Sequence, residues 1–234
     1  MKTAGIDGCK AGWIMMTLGE DPRYEILRSD DELLNSLNEF DRIFIDMPIG
    51  LEEEEYNREC DTLLRKKLGK EYAPSVFSPP IRAALHAPSY VEANMQSYEI
   101  TEKKLTVQSW NITPKIRVLD RFLTELPDLQ EKVHESHPEL LFMNLNGGMI
   151  YQKKNTKKGL RHRLDLVKAH EPIASDFFRE IKEEYRRNEV EEDDIVDALV
   201  LALAAKHSIE KGIKTLPEEP SKDSQGLKMA IHYT

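Results

Sequence analysis

The sequence has 234 residues, of which 40% are hydrophobic and 32% charged, so it is long enough for one large domain or two small ones with a buried core. It contains no run of about 18 to 20 uninterrupted apolar residues, which excludes an integral membrane protein built on spanning helices. Its 33 basic and 42 acidic residues give a net charge of -9, which argues against a protein that coats nucleic acid by bulk electrostatics.

The N-terminal part of the chain predicts a small sheet, then a helix and one more strand. Ser29 and Glu32 form a capping-box pattern at the start of the helix. A short buried strand over 42–46 follows and stops before Met47-Pro48. Three strands precede the helix, over 3–7, 13–18 and 24–28. Their connections are too short for parallel pairing, so the order β-β-β-α-β predicts an antiparallel hairpin sheet that a crossover strand extends.

The middle of the chain predicts helices interrupted by prolines. A helix is expected over 52–68, because glutamates begin this segment and basic residues end it, as the helix dipole favours. Thr113-Pro114 predicts the start of another helix. A strand is expected over 131–135.

The last third of the chain begins with a basic run and predicts three helices. The run spans 153–168 and contains a single acidic residue, Asp165. Amphipathic helices are expected over 160–170 and 173–187. The segment 191–209 starts with acids and continues with apolar residues on almost every side, which predicts a buried helix. Residues 229–233 predict an edge strand.

Acidic residues end two of the predicted strands and begin the last helix. Asp7 ends the first strand, Asp46 ends the crossover strand, and Asp194 and Asp197 share one helix face. Carboxylates that converge in a partly buried site repel one another unless cations neutralise them, and oxygen-only ligation favours Mg²⁺ or Mn²⁺ over zinc. Two such ions about 4 Å apart stabilise the attacking and leaving oxygens of a phosphodiester displacement.

Each of these acids also has a purely structural interpretation. Asp7 precedes Gly8 and suits a turn, and Asp46 suits a cap for the segment that follows it. The acids over 191–194 suit a helix N-terminus, and Asp197 suits a paired core acid. Their joint placement at two strand ends and one helix start favours a common site.

On these motifs the chain resembles the ribonuclease H-like superfamily, in the branch that contains the RuvC-type Holliday-junction resolvases. More narrowly, it resembles a family of predicted nucleases with this fold. The matching stretches lie between residues 5 and 200 and are GIDGCKAGW, IDMPIGL, SVFSPPIRAAL, QSWNITPKI, ESHPELLF and DDIVDAL. The resemblance implies an α/β fold, with a mixed five-stranded sheet flanked by helices. It also implies a single domain over 1–234 with a helical insert at about 52–128, after the fourth strand.

The resemblance also implies roles for individual acids. Asp7 and Asp46 would hold the first metal ion, and Asp194 and Asp197 would complete the site, with Asp193 as the helical alternative to Asp194. Glu135 would face the same site. Resolvases typically have glutamate as their second acid, and the long insert has no counterpart in a minimal ribonuclease H domain, so the substrate class of the resolvases does not transfer to this chain.

Basic and aromatic residues outside the acidic cluster predict contacts to phosphate or to bases. The basic run is either a solvated face or a phosphate-contacting track. Ser75, Ser78 and Arg82 form either an anion site or a structural loop, and Trp110 either stacks a base or packs in the core. The substrate-binding candidates are Lys115, Lys157, Lys158, Arg161, Arg163 and Arg82. No histidine or cysteine spacing predicts a zinc site.

The leading hypothesis is a nuclease that uses Mg²⁺ or Mn²⁺ to hydrolyse phosphodiester bonds in DNA or RNA. The alternatives are a catalytically inactive binding or scaffold module with the same fold and, less favoured, an actin-like ATP-dependent phosphotransferase. Asp7 and Lys10 interrupt the apolar block that a signal peptide needs, and two cysteines are too few for a disulfide framework. We therefore expect a cytoplasmic protein without a membrane partner, and a homo-oligomer is compatible with the sequence.

Overall fold

The computed structural model describes residues 1–234 and consists of two units. Unit 1 comprises Met1–Asp46, Glu131–Lys214 and His232–Thr234, and unit 2 comprises Met47–Gln130 and Thr215–Ile231. The insert expected at about 52–128 falls within unit 2. No helix combines the length and the apolar character that crossing a membrane requires.

Seven strands and eight α-helices make up the secondary structure. The strands are β1 (Thr3–Cys9), β2 (Gly12–Thr17), β3 (Arg23–Leu27), β4 (Arg42–Ile45), β5 (Val133–Glu135), β6 (Lys214–Leu216) and β7 (Ile231–Tyr233). The helices are α1 (Asp30–Glu39), α2 (Glu59–Tyr72), α3 (Tyr90–Thr101), α4 (Val107–Glu125), α5 (Pro138–Leu145), α6 (Lys157–Lys168), α7 (Ala174–Glu184) and α8 (Glu192–Lys211). Short 3₁₀ helices span Ala73–Ser75, Arg82–Ala84 and Pro127–Glu131.

The sheet of unit 1 has five strands in the order β3-β2-β1-β4-β5. The pairs β1–β2 and β2–β3 are antiparallel, whereas β1–β4 and β4–β5 are parallel. This confirms the expected hairpin sheet with its crossover strand and the mixed five-stranded α/β architecture. The capping box that was expected at α1 is also present, because Ser29 accepts from the backbone of Glu32 and the Glu32 side chain accepts from the backbone of Ser29.

Helix α8 lies directly against β1 because β1 carries a glycine at the closest approach. A Cβ on Gly5 would lie 2.1 Å from the Ala202 nitrogen and 2.7 Å from the Ala198 carbonyl oxygen, so only glycine allows this packing. Most residues of α8 are buried, which confirms the expected buried helix. The contact fixes the start of α8 near the end of β1.

Two predicted helix starts in unit 2 are wrong. The glutamates over 52–55 lie in an irregular segment, and α2 begins at Glu59. The Arg58 guanidinium is buried and donates to Asp61 and to the Ile49 carbonyl, and these contacts hold the chain outside the helix before that point. The other helix was expected to start at Pro114, but Pro114 lies inside α4, which Thr106 caps by accepting from the Ser109 N–H.

The remaining expectations for unit 1 hold with small shifts in the boundaries. The strand expected over 131–135 is β5, and the two amphipathic helices are α6 and α7. The C-terminal strand is β7, which forms a second sheet of two strands with β6.

Candidate functional site

Strand β1 continues to Cys9, so Asp7 lies inside this strand rather than at its end as predicted, beside Asp46, which directly follows β4. Ile6 pairs in parallel with Ile45, so the next residues, Asp7 and Asp46, share a register level on strands about 4.8 Å apart. The hydrogen bonding between β1 and β4 continues to Asp46, because the Asp46 N–H donates to the Ile6 carbonyl. Asp7 follows Gly5 by two residues and therefore lies on the sheet face that α8 covers.

The first turns of α8 bring two more aspartates to this site. Asp194 accepts the Glu191 N–H at 2.9 Å and completes a capping box, so the structural interpretation of this acid holds for one of its oxygens. Asp197 is 4% exposed although it carries a carboxylate. Asp193, the alternative to Asp194, has a side chain that is 36% exposed and lies 3.8 Å from the Lys154 ammonium.

The charges of neighbouring aspartates act on Asp7, Asp46 and Asp194, which indicates that these acids lie near one another and near Asp197. Burial raises the pKa of Asp7 well above its usual range, and the charges of Asp46, Asp197 and Asp194 raise it further. Burial and the charge of Asp197 raise the pKa of Asp46 to about 8. Burial likewise raises the pKa of Asp194 to about 7, against the lowering effect of its bond from the Glu191 backbone.

Only one of the four aspartates has a cationic partner. The Lys154 ammonium lies 3.1 Å from Asp197 Oδ2 and 3.8 Å from Asp193 Oδ2. Burial raises the pKa of Asp197, and Lys154 opposes that effect. The Asp7 carboxylate accepts the Gly8 N–H at 2.7 Å, whereas the Asp46 carboxylate forms no hydrogen bond or ion pair. Lys154 thus contacts one acid of the cluster and leaves the other three without a cation in contact.

A buried ion pair fixes the loop that carries Lys154. Arg163 is 1% exposed and donates to both oxygens of Glu139 at 3.0 and 2.7 Å. It also donates to the Gln152 carbonyl at 2.8 Å. A Cβ on Gly159 would lie 2.0 Å from the Lys153 carbonyl oxygen, so the start of α6 packs directly on the backbone beside Lys154.

Residues 5–222 match the family described as protein of unknown function (DUF429). The chain belongs to this family. No curated protein and no solved structure matches it. The family match includes every residue of the cluster from Asp7 to Asp197 and the loop that carries Lys154.

Glu135, the fifth acid expected at the site, lies on the neighbouring strand but one register level earlier. It pairs with Ile45 rather than with Asp46. Because side chains alternate along a strand, Glu135 is directed to the sheet face opposite Asp7 and Asp46. Its charge still raises the pKa of Asp46, after the larger effects of burial and Asp197. We therefore place Glu135 beside the cluster rather than among its converging carboxylates.

Two of the predicted substrate-binding cations are engaged in the protein interior. Arg163 is held by Glu139, and its burial leaves no surface that a phosphate reaches. Arg82 forms ion pairs with Asp120, at 2.9 Å, and with Asp223, so the loop around it is structural. In both cases the guanidinium is already paired with carboxylates of its own unit.

The other predicted cations differ in exposure and location. Lys157, Lys158 and Arg161 are exposed on α6, in the same unit as the aspartates. Lys115 is half-buried on α4 in unit 2. Trp110 packs against the buried cluster around Ile81 and Leu105, which matches its core interpretation.

Carboxylate oxygens as the donor set fit a hard divalent cation such as Mg²⁺ or Mn²⁺. Burial and the charges of neighbouring acids raise the pKa values of Asp7, Asp46 and Asp194, and a bound cation would oppose both effects. In the observed arrangement, no three His, Cys, Asp or Glu side chains form a ready-made metal-ligand group. One contact competes with cation binding, because the Lys154 ammonium already forms an ion pair with Asp197.

Proposed function

We propose that the protein is a nuclease of ribonuclease H-like fold that uses Mg²⁺ or Mn²⁺ to hydrolyse phosphodiester bonds in DNA or RNA. The observation that carries the proposal is the placement of Asp7 and Asp46 at one register level of two neighbouring strands, with Asp194 and Asp197 in the first turns of the helix that packs on β1. The charges of the other three aspartates raise the pKa of Asp7. The strand order β3-β2-β1-β4-β5 with α8 across β1 is consistent with that fold.

The aspartates would hold the cations, which activate water and stabilise the leaving oxygen when bound. Asp7 keeps one oxygen on the Gly8 N–H, which fixes its rotamer and leaves the other oxygen for a cation. Asp194 is fixed in the same way by the Glu191 N–H. Asp46 has no competing partner within the protein, and is therefore the acid most readily available to a cation.

The exposed cations of α6 support a nucleic-acid substrate. Lys157 and Lys158 occupy the first turn of α6, where the helix dipole disfavours positive charge. Their placement weakens the helix end but attracts a phosphate, since a helix N-terminus and two ammonium groups act together on an anion. Backbone phosphate contacts of this kind give affinity without sequence preference.

The test is a cleavage assay with purified protein on single-stranded, duplex, hybrid and branched substrates, with Mg²⁺, Mn²⁺ or EDTA. We expect cleavage that depends on the cation and that Asp7→Asn and Asp46→Asn abolish. Asp165→Asn is the matched control, because Asp165 is an exposed aspartate on α6 outside the cluster. Activity that persists in both cluster variants would exclude this mechanism.

A second candidate is a binding module without hydrolytic activity, and the position of Lys154 on Asp197 favours it. In that case the ammonium permanently neutralises the cluster. Nucleic-acid binding that is unaffected by EDTA and by Asp7→Asn, with no cleavage of any substrate, would support this second function over the first.

A further inference from the structure

We propose that Lys154 is an internal counter-ion of the aspartate cluster, and that a divalent cation must displace its ammonium from Asp197 to be bound. This inference rests on the function proposed above and adds a control on cation binding. It assigns to Lys154 a role that neither a solvated basic face nor a phosphate-contacting track would give it.

The ion pair joins a partly exposed ammonium, that of Lys154, to a buried carboxylate, that of Asp197. The Lys154 side chain is 41% exposed, whereas that of Asp197 is 6% exposed. The Lys154 side chain is thus partly open to solvent, and its ammonium can leave Asp197 without opening the core. Asp193, at 3.8 Å from the ammonium and 36% exposed, gives it a second acidic partner at the surface.

Hydrogen bonds fix the backbone on both sides of Lys154. Displacement of the Lys154 ammonium from Asp197 therefore requires only a change of side-chain rotamer. Thr156 donates to the Lys153 carbonyl at 2.8 Å and accepts the Gly159 N–H at 3.1 Å. Arg163 fixes the Gln152 carbonyl on the other side of Lys154. The long side chain between these fixed points is the flexible part, because a lysine carries its ammonium on a flexible stem of four methylene groups.

An ammonium and a divalent cation cannot occupy the same carboxylate without strong repulsion. A cation that approaches Asp197 therefore meets one positive charge already in place, which lowers the affinity of the cluster for it. In the absence of the cation, the same ammonium offsets part of the repulsion among Asp7, Asp46 and Asp197. Removal of Lys154 should thus tighten cation binding and weaken the cation-free fold.

The test measures Mn²⁺ binding to the full chain without any substrate, by the electron paramagnetic resonance signal of free Mn²⁺. Lys154→Met is expected to lower the dissociation constant about tenfold or more, since it removes a full charge at contact distance. Lys153→Met is the matched control, because Lys153 is the exposed neighbour. Lys154→Arg should keep the wild-type affinity, because it keeps the charge. Thermal melts in EDTA should show a lower midpoint for Lys154→Met than for Lys153→Met.

The outcomes separate this inference from the proposed function. If the wild type binds Mn²⁺, Asp7→Asn does not, and Lys154→Met binds no more tightly than the wild type, the counter-ion role is wrong and the metal site stands. If Lys154→Met instead weakens nucleic-acid binding with Mn²⁺ affinity unchanged, Lys154 contacts phosphate. If neither the wild type nor Lys154→Met binds Mn²⁺ at millimolar concentration, both proposals fail.

Discussion

Replacement of Asp46 by asparagine should stabilise the cation-free protein at alkaline pH. The pKa of Asp46 is raised by burial and by Asp197, and the carboxylate has no hydrogen bond or ion pair that the substitution would remove. The folded protein keeps the proton up to about pH 8, whereas the unfolded chain releases it near pH 4. The free energy of unfolding should therefore fall as the pH rises between these values.

The size of the effect follows from the difference between the two pKa values. The pKa rises from 3.8 to about 8, and each pKa unit corresponds to about 1.4 kcal/mol, so full ionisation of Asp46 opposes folding by about 5 to 6 kcal/mol. Part of this free energy is repulsion from neighbouring acids, and these acids are themselves partly protonated at neutral pH, which reduces the repulsion. We therefore expect Asp46→Asn to raise the free energy of unfolding by about 2 to 4 kcal/mol at pH 8.

Urea denaturation in EDTA at pH 5.5 and pH 8 measures the effect. The wild type should be less stable at pH 8 than at pH 5.5, and Asp46→Asn should remove much of that difference. Asp165→Asn, an exposed aspartate in the same unit, should leave the difference unchanged. A wild-type stability that is equal at both pH values, or a variant that is destabilised at pH 8, would refute the electrostatic argument.

Three further predictions concern the cation and the packing. Millimolar Mg²⁺ should raise the wild-type melting midpoint at pH 8 and leave that of Asp7→Asn unchanged; an equal shift in both would place the cation elsewhere. Glu139→Gln should lower the free energy of unfolding by about 3 to 5 kcal/mol, because it leaves the Arg163 guanidinium buried without its counter-charge; a loss under 1 kcal/mol in denaturation would contradict this. Gly5→Ala should prevent the close packing of α8 on β1 and yield protein without a cooperative melt, whereas normal melting would show that the helix can shift.

Local signals in the sequence were sufficient for the elements that form the aspartate cluster. The Ser29–Glu32 capping box and the short apolar strands need no distant contact to be recognised. Asp7 in β1 and Asp46 directly after β4 also stand out, because acidic residues are rare in and beside short buried strands. Helix α8 was predictable from its composition, since apolar residues on every side indicate burial.

Several features of the structure depend on side-chain contacts that the sequence pattern does not reveal. Nothing near Arg163 indicates that Glu139 neutralises it, and without that partner it looks like any other residue of the basic run. Lys154 is hidden in the same way, because only the fold brings it to Asp197. The start of α2 was misplaced because the contacts of Arg58 outweigh the favourable charge of the preceding glutamates.

The aspartate cluster is distinguished from a structural ion network by the acid that has no partner. Strongly shifted pKa values occur in both kinds of cluster, so the shifts alone do not separate them. Glu139 shows the structural pattern, because Arg163 offsets the burial that raises its pKa. Asp46 shows the opposite pattern, since its raised pKa opposes folding and no hydrogen bond or ion pair compensates for it. An acid that destabilises the isolated fold in this way is expected where a bound cation supplies the missing charge, which is why Asp46, rather than the better-paired Asp197, is the most informative residue of the site.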